Sequence, residues 1–502
     1  MLTIAQALAL GLQHHQAGRL AEAEAIYLQV LREQPRNTEA LNRLGALLIQ
    51  AGRRDEAVAH LEQAVALAPD NSLYQGNLGS AYVMVGRHEM AEAPLQEAIR
   101  LDPQNAAAHY NLGLMMEQTS RTDEAIVLYR QTVALQPANR AAHNNLGTLL
   151  RAQRNESEAL AHFDAALAAD PQAPHVHYNR AMLLLSMGRL AEGWQEYEWR
   201  LRCREFVMRR LPTPQWDGAP LQDKTLLVHA EQGQGDTIQF LRYLPLVRGR
   251  CPHTLFEVPA PLLPICRHSG MDGLVVQPEP AGGRYAPPTV EYDCQVPLLS
   301  LPRIFETTLE SIPANVPYLT ADEDRVAAWH TKLSSRPGFR IGICWQGSPT
   351  HRDDQFRSFP LSQFAPLARV DGVRLYSLQK GHGSEQIEAL GGQFPLDDLQ
   401  RAIAPDADPW MDVAAIMKNL DLVVTCDTSV AHLAGALGVP VWVALAARVD
   451  WRWMLDRADS PWYPTMRLFR QQRLGDWEGV FHQMATELRA IVGPDRASTI
   501  KL

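Results

Sequence analysis

At 502 residues the chain is too long for one hydrophobic core, and 46% apolar with 21% charged residues is the composition of a few soluble globular domains. The net charge is −9, and residues 1–200 carry 16 basic against 22 acidic side chains, a balance of −6, the wrong sign for a nucleic-acid surface. Six cysteines with no CxxC spacing argue against a zinc site and a disulfide framework and suit a reducing compartment.

The first residues, "MLTIAQALALGLQHHQAGRL", have no cationic start and read as a helix rather than a signal peptide. A period of 34 then organises the first 200 residues. Gly11, Gly45, Gly79, Gly113 and Gly147 repeat at that spacing, with Ala181 in sixth place. Ala23, Ala57, Ala91, Ala125 and Ala159 follow it, with Gly193 next, and so do Pro35, Pro69, Pro103, Pro137 and Pro171. Each unit predicts two amphipathic helices around a turn such as "QAGR" or "SMGR", with small residues where the helices approach and proline ending the second. Such units bury their apolar faces only on one another and stack into a superhelix with a groove. Asn77, Asn111, Asn145 and Asn179 stand in one register. They predict either an amide ladder that grips a peptide backbone or a set of inter-helix braces.

After "EYEWRLRCREF" the pattern changes. "LPTPQWDGAP" reads as part of a linker over 205–222. Two series of alternating strands and helices follow, over 223–333 and 334–502. They predict two Rossmann-like lobes with a cleft between their strand carboxyl ends. "DLVVTCDTSVAHLAGALGVPVWVAL" places Asp427, Thr428, Ser429 and His432 at a strand's carboxyl end and a helix's amino end. Unpaired N–H groups and the helix dipole there attract phosphate, although an N-cap with a core histidine would look similar. The apolar run Leu422–Val449 is interrupted by Asp427, His432, Gly438 and Pro440, so it reads as buried strand, helix and strand and not as a membrane span. Asp353-Asp354, Asp397-Asp398 and the pair Asp406 and Asp408 read as solvated loop acids, and no metal is expected.

The 34-residue units resemble tetratricopeptide repeats, over 1–204 as six repeats. The two lobes resemble the ADP-heptose:lipopolysaccharide heptosyltransferases, glycosyltransferases of the GT-B type, on "DTSVAHLAGALGVP" and on "AEQGQGDTIQFLRYLP". That resemblance implies an all-α repeat superhelix followed by an α/β GT-B-like pair of lobes. It implies Ser348, Arg357, Gln379, Lys380, Asp427, Thr428, Ser429 and His432 as the nucleotide-sugar site. A cation beside the diphosphate would stabilise charge growing on the leaving phosphate. It implies Asp236 as the base that takes the acceptor's proton, with Glu231 and His229 as other candidates and an N-cap as the bland role. The dinucleotide fingerprint suggested by Gly233 and Gly235 lacks its third glycine. In layout the chain is similar to the protein O-GlcNAc transferases, whose repeats carry an asparagine ladder. The expectation is a cytoplasmic, metal-independent glycosyltransferase with no cofactor beyond the nucleotide sugar, acting on a protein held by the repeats. The alternatives are a lipid or surface-glycan acceptor with the repeats as a docking module, and a non-catalytic scaffold that binds a nucleotide sugar.

Overall fold

A computed structural model describes residues 2–204, 209, 211–278, 286, 288–351, 353–403, 408–448 and 450–492. Residues 205–208 and 210 of the expected linker, Asp406, and the end of the expected last lobe, 493–502, lie outside the described residues. The chain divides into two compact units, Met1–Arg180 and Ala181–Leu502.

The first unit is a stack of helix pairs, beginning Ile4–Gln16 with Leu20–Glu33 and Thr38–Gln50 with Arg54–Leu67. The sequence period has a steric cause. A Cβ on Gly11, Gly45, Gly113 or Gly147 would come within 2.5 to 2.9 Å of Tyr27, Leu61, Tyr129 or Phe163 on the paired helix. Only glycine lets a large side chain fill that gap. Ala23, Ala57, Ala91, Ala125 and Ala159 are fully buried. After the first four of these prolines an asparagine starts the next pair: the side chains of Asn37, Asn71, Asn105 and Asn139 accept a backbone N–H from Ala40, Tyr74, Ala108 and Ala142, while Ala173 stands in that place after Pro171. The turn within each pair demands positive φ, met by Gly18, Gly52 and Gly86 but by Ser120 (62°) and Arg154 (63°) in the next two repeats.

The second unit holds two parallel sheets. Strands β1 (Leu226–His229), β2 (Thr254–Val258), β3 (Leu274–Val276) and β4 (Cys294–Pro297) lie in the order β3-β2-β1-β4. Strands β5 (Phe339–Cys344), β6 (Val373–Ser377), β7 (Asp397–Asp398), β8 (Leu422–Cys426), β9 (Val441–Leu445) and β10 (Met466–Arg470) lie in the order β10-β9-β8-β5-β6-β7. Every pairing in the larger sheet is parallel. Helix Trp477–Val492 covers it, with Phe481, Met484 and Leu488 packed in a core with Ile341, Ile343 and Val424. Near-continuous apolar strands buried on both faces are what a parallel sheet requires.

Four expectations change. The sixth repeat is divided: its second helix, Leu190–Tyr197, belongs to the second unit, because Trp194 is buried edge-on against Trp451, Phe240 and Trp462. The described part of the linker is docked, with Trp216 buried and its backbone N–H donating to Gln295 O on β4 at 2.8 Å. Helix Glu323–Ser334 packs on the second lobe, since Trp329 Nε1 and Arg325 both bond Asp412, so that lobe starts before residue 334. Asp397-Asp398 forms the edge strand β7 instead of a loop, and Asp354 opens a four-residue helix, Asp354–Arg357.

Candidate functional site

Numbered within its own lobe, the larger sheet runs 3-2-1-4-5-6, and its order reverses between β5 and β8. At such a switch point the connections leave in opposite directions and open a crevice beyond the strand carboxyl ends. Two turns border it: Trp345-Gln346-Gly347 after β5 and Asp427-Thr428 after β8.

The first turn is fixed by Gln379, which is buried. Its Oε1 accepts the backbone N–H groups of Trp345 and Gln346, each at 3.1 Å, and its Nε2 donates to Gln346 O and His382 O. The amide expected to meet a ligand is therefore spent on holding the turn. Gly347 leaves room for Arg357, whose Nη2 would sit 2.7 Å from a Cβ there, and Arg357 pairs with Asp354 at 3.2 Å. Ser348 and Lys380 are exposed at the edges of these turns, with Ser348 Oγ 2.8 Å from Thr350 Oγ1.

In the second turn, Thr428 takes the N-cap position of helix Ser429–Ala436 with extended φ and ψ, and no side chain caps that helix. Its amino end therefore offers N–H donors and the positive pole of the dipole to the crevice. Half-buried Asp427 stands beside it. Burial and the charge of Asp450 push its carboxyl up to about 6, against the pull of the Trp453 indole, Arg357 and Arg452. The Trp453 Nε1 donor is buried and meets no acceptor at hydrogen-bond geometry.

His432 is not at the crevice mouth. It is buried, stacked on Trp453 with centroids 5.3 Å apart, and its Nδ1 lies 2.9 Å from Tyr463 Oη. Burial, with Arg452, Arg242 and Arg357 nearby, holds it well below the ordinary histidine range, so it is neutral. Its ring edge would lie 3.0 Å from a Cβ on Gly235. Gly235 thereby lets helix Gln234–Phe240, which follows β1, pack against helix Ser429–Ala436, so the carboxyl ends of the two sheets meet.

Asp236 sits at that meeting. The helix starts at Gln234 instead of Thr237, and Asp236 in its first turn accepts the Gly233 N–H at 2.9 Å while pairing with Arg452 of the other lobe. Burial raises its carboxyl, and the Arg452 charge opposes that rise. The other two candidate bases are engaged. Glu231 is buried with both oxygens on Arg200 and one also accepting the Leu299 N–H. His229 is buried with Nε2 2.9 Å from Gln295 Oε1 and is held below its usual pKa by burial.

Thus the fold brings Asp236, Asp427, His432 and Arg357 into one region and leaves Ser348 and Lys380 on its exposed edge. Sequence reasoning missed Asp450, Arg452 and Trp453, although the charges of "RVDWRW", shortly after β9, were a signal of the same kind as "DTS" after β8. Among the described residues no group of three or more His, Cys, Asp or Glu side chains is placed to hold a metal ion, and no helix is long and apolar enough to cross a membrane.

In the first unit the four asparagines are half-buried in one register. Asn77 donates to Asn42 Oδ1 at 2.8 Å, Asn179 to Asn144 Oδ1 at 2.9 Å and Asn145 to Tyr129 Oη at 3.1 Å. Part of their hydrogen-bonding capacity therefore braces helices.

Residues 14–80, 118–174 and 144–198 match tetratricopeptide repeat family models, and residues 79–120 match a TPR repeat model. The amino-terminal region is made of tetratricopeptide repeats. Among solved structures, MamA is 29% identical, covering 32% of this chain and 94% of MamA at a TM-score of 0.29. TTC0263, a thermophilic TPR protein of Thermus thermophilus, is 26% identical, covering 36% of this chain and all of TTC0263 at a TM-score of 0.33. The protein FlbA of Caulobacter vibrioides is 28% identical over 327 residues, which is 61% of this chain and 53% of FlbA. The chain thus spans about half the length of that relative.

Proposed function

We propose that the chain is a cytoplasmic glycosyltransferase of the GT-B type that moves a sugar from a nucleotide sugar to an acceptor, a protein held by the repeats. The observation that carries this reading is the uncapped amino end of helix Ser429–Ala436 at the switch point of a 3-2-1-4-5-6 sheet, with a carboxylate from the other sheet's strand end beside it. A nucleotide diphosphate is the ligand such an amino end suits. Thr428 and Ser429 add hydroxyls at the same end, and in this reading Ser348 and Arg357, which follow β5, and Lys380, which follows β6, meet the diphosphate from the other side of the crevice.

In the reaction, Asp236 takes the proton of the acceptor hydroxyl as that oxygen bonds the sugar's anomeric carbon. The bond from that carbon to the diphosphate breaks at the same time, and Arg357 and the helix amino end stabilise the charge left on the phosphate. His432 acts from behind, holding the helix against Gly235. Gln379 holds the β5 turn. The four asparagines retain amide capacity beyond their braces for an extended peptide.

The test is to incubate the protein with a panel of nucleotide sugars and follow nucleotide release with and without cell lysate. Release that rises with lysate supports transfer. Binding of a nucleotide sugar with no release under any condition turns the reading to a scaffold.

A further inference from the structure

Between the two sheets of the second unit lies a guanidinium, that of Arg452, which the donor site does not use. Arg452 follows β9 and is 7% exposed. Its Nη1 donates to Asp450 Oδ1 at 2.8 Å, its Nε donates to Gln239 Oε1 at 2.8 Å, and its Nη2 pairs with Asp236. The guanidinium plane rests over the Trp451 ring, 4.4 Å from its centroid. Two of its three acceptors belong to helix Gln234–Phe240 of the other lobe. Asp236 in turn has one oxygen on Arg452 and the other on the Gly233 N–H, so its carboxylate is held at both ends.

We propose that Arg452 is a positioning residue for Asp236: reaching across from the second lobe, it aims the carboxylate and offsets the cost of burying its charge. This rests on the reading of Asp236 as the base. The geometry is that of a pre-organised fork, which loses little freedom when it orients a carboxylate. The charged groups around Asp236 are Arg452, Asp450 and Glu231, with His432 neutral behind Gly235. Burial pushes the Asp236 carboxyl up and the guanidinium offsets that push, while Asp450 and Glu231 add to it.

The test uses the full chain with Arg452→Gln and, separately, Asp450→Asn. Two quantities are read: the Asp236 carboxyl titration by carbon NMR, assigned through its loss in Asp236→Asn, and the acidic limb of kcat/KM for transfer. Arg452→Gln should raise the titration midpoint and the limb by about a pH unit or more, roughly a tenfold change in the ionised fraction below the midpoint. Asp450→Asn should move both the other way, because it removes a repelling charge and leaves Arg452 to Asp236. A role in folding alone would lower activity equally at every pH and move neither midpoint, and that result overturns the proposal. If Arg452→Gln does not fold, the direction of the Asp450→Asn shift decides. If the parent shows no turnover with any nucleotide sugar, the transferase reading fails, while the carboxyl titration still reports whether Arg452 holds Asp236 ionised.

Discussion

Gly147 lies against Phe163 on the paired helix of its repeat so closely that a methyl group at its Cα would sit 2.9 Å from Phe163 Cε1 and 3.1 Å from the Ala159 carbonyl oxygen. Neither neighbour is the loose end of a flexible chain. Gly147→Ala should therefore gain helix propensity yet destabilise the repeats by about 1–3 kcal/mol, the usual cost of overpacking. Urea unfolding followed by circular dichroism measures it, and a variant as stable as the parent would mean the helices can separate at no cost.

Ser120 occupies the turn where three earlier repeats have glycine, and it does so with φ 62° and an exposed side chain. An L-residue there costs about 1–2 kcal/mol, partly offset by the extra freedom glycine adds to the unfolded chain. Ser120→Gly should raise repeat stability by roughly 0.5–1 kcal/mol on that balance. A thermal midpoint that fails to rise would show the turn is not strained.

Asp427 carries a stability penalty that depends on pH. Its folded carboxyl titrates near 6, above its unfolded range, because burial and Asp450 disfavour the charge. Between about pH 4 and 6 the folded state binds more protons than the unfolded state, so stability falls as pH rises through that window. Asp427→Asn removes the charge. It should be the more stable protein at about pH 7.5, by on the order of 2 kcal/mol, and lose that advantage near pH ~4. Under the donor-site reading the same variant should bind nucleotide sugar more weakly. Denaturant titrations at the two pH values, with calorimetry for the ligand, separate the two effects.

Replacing Asn77, Asn111, Asn145 and Asn179 together by Ala should raise the acceptor KM while leaving hydrolysis of the donor by water unchanged. Each lost amide contact should matter by about 1 kcal/mol or less, so the combined variant is the informative one. Because Asn77 and Asn179 also brace Asn42 and Asn144, some loss of repeat stability accompanies it. Helicity by circular dichroism at the assay temperature shows whether the groove is intact. An unchanged KM on an intact groove would reject the protein acceptor.

The repeat was legible because its cause is local and recurs. A glycine that must admit Phe163 or Leu61, and an alanine with no exposed surface, leave a spacing that survives any variation around them. The strands were legible from β-branched apolar runs, and β8 with its Asp427-Thr428 end lies where the pattern placed it. Strand β10, "MRLFR", was hidden by its two arginines and by the irregular segment before it. The helices of the second lobe are shorter than its alternating pattern suggests: "LSQFAPLARV" forms a tight turn, Leu361–Phe364, then the four-residue helix Ala365–Ala368 with Pro366 in its first turn, and "SEQIEALGG" forms Gln386–Ala389 before two glycines. Side-chain roles were the least legible. Gln379 looks like a ligand group until its partners are known to be the backbone of Trp345 and Gln346, and Arg452 meets its carboxylate from a distant part of the chain. No window of sequence holds both ends of such a pair.

The burial of Trp194 and Arg200 within the second unit governs how this protein can be cut. Arg200 is fully buried between Glu231 and Glu198, with Ser300 as a further partner. A protein trimmed at residue 205, where the repeats end by sequence, would strand the Glu231 carboxylate in an apolar interior and leave Trp451 and Trp462 facing water. It should be recovered as aggregate, whereas one that starts at Pro174 keeps both. The last repeat is thus shared property: a cassette exchange that swaps the binding array has to leave its final turn behind.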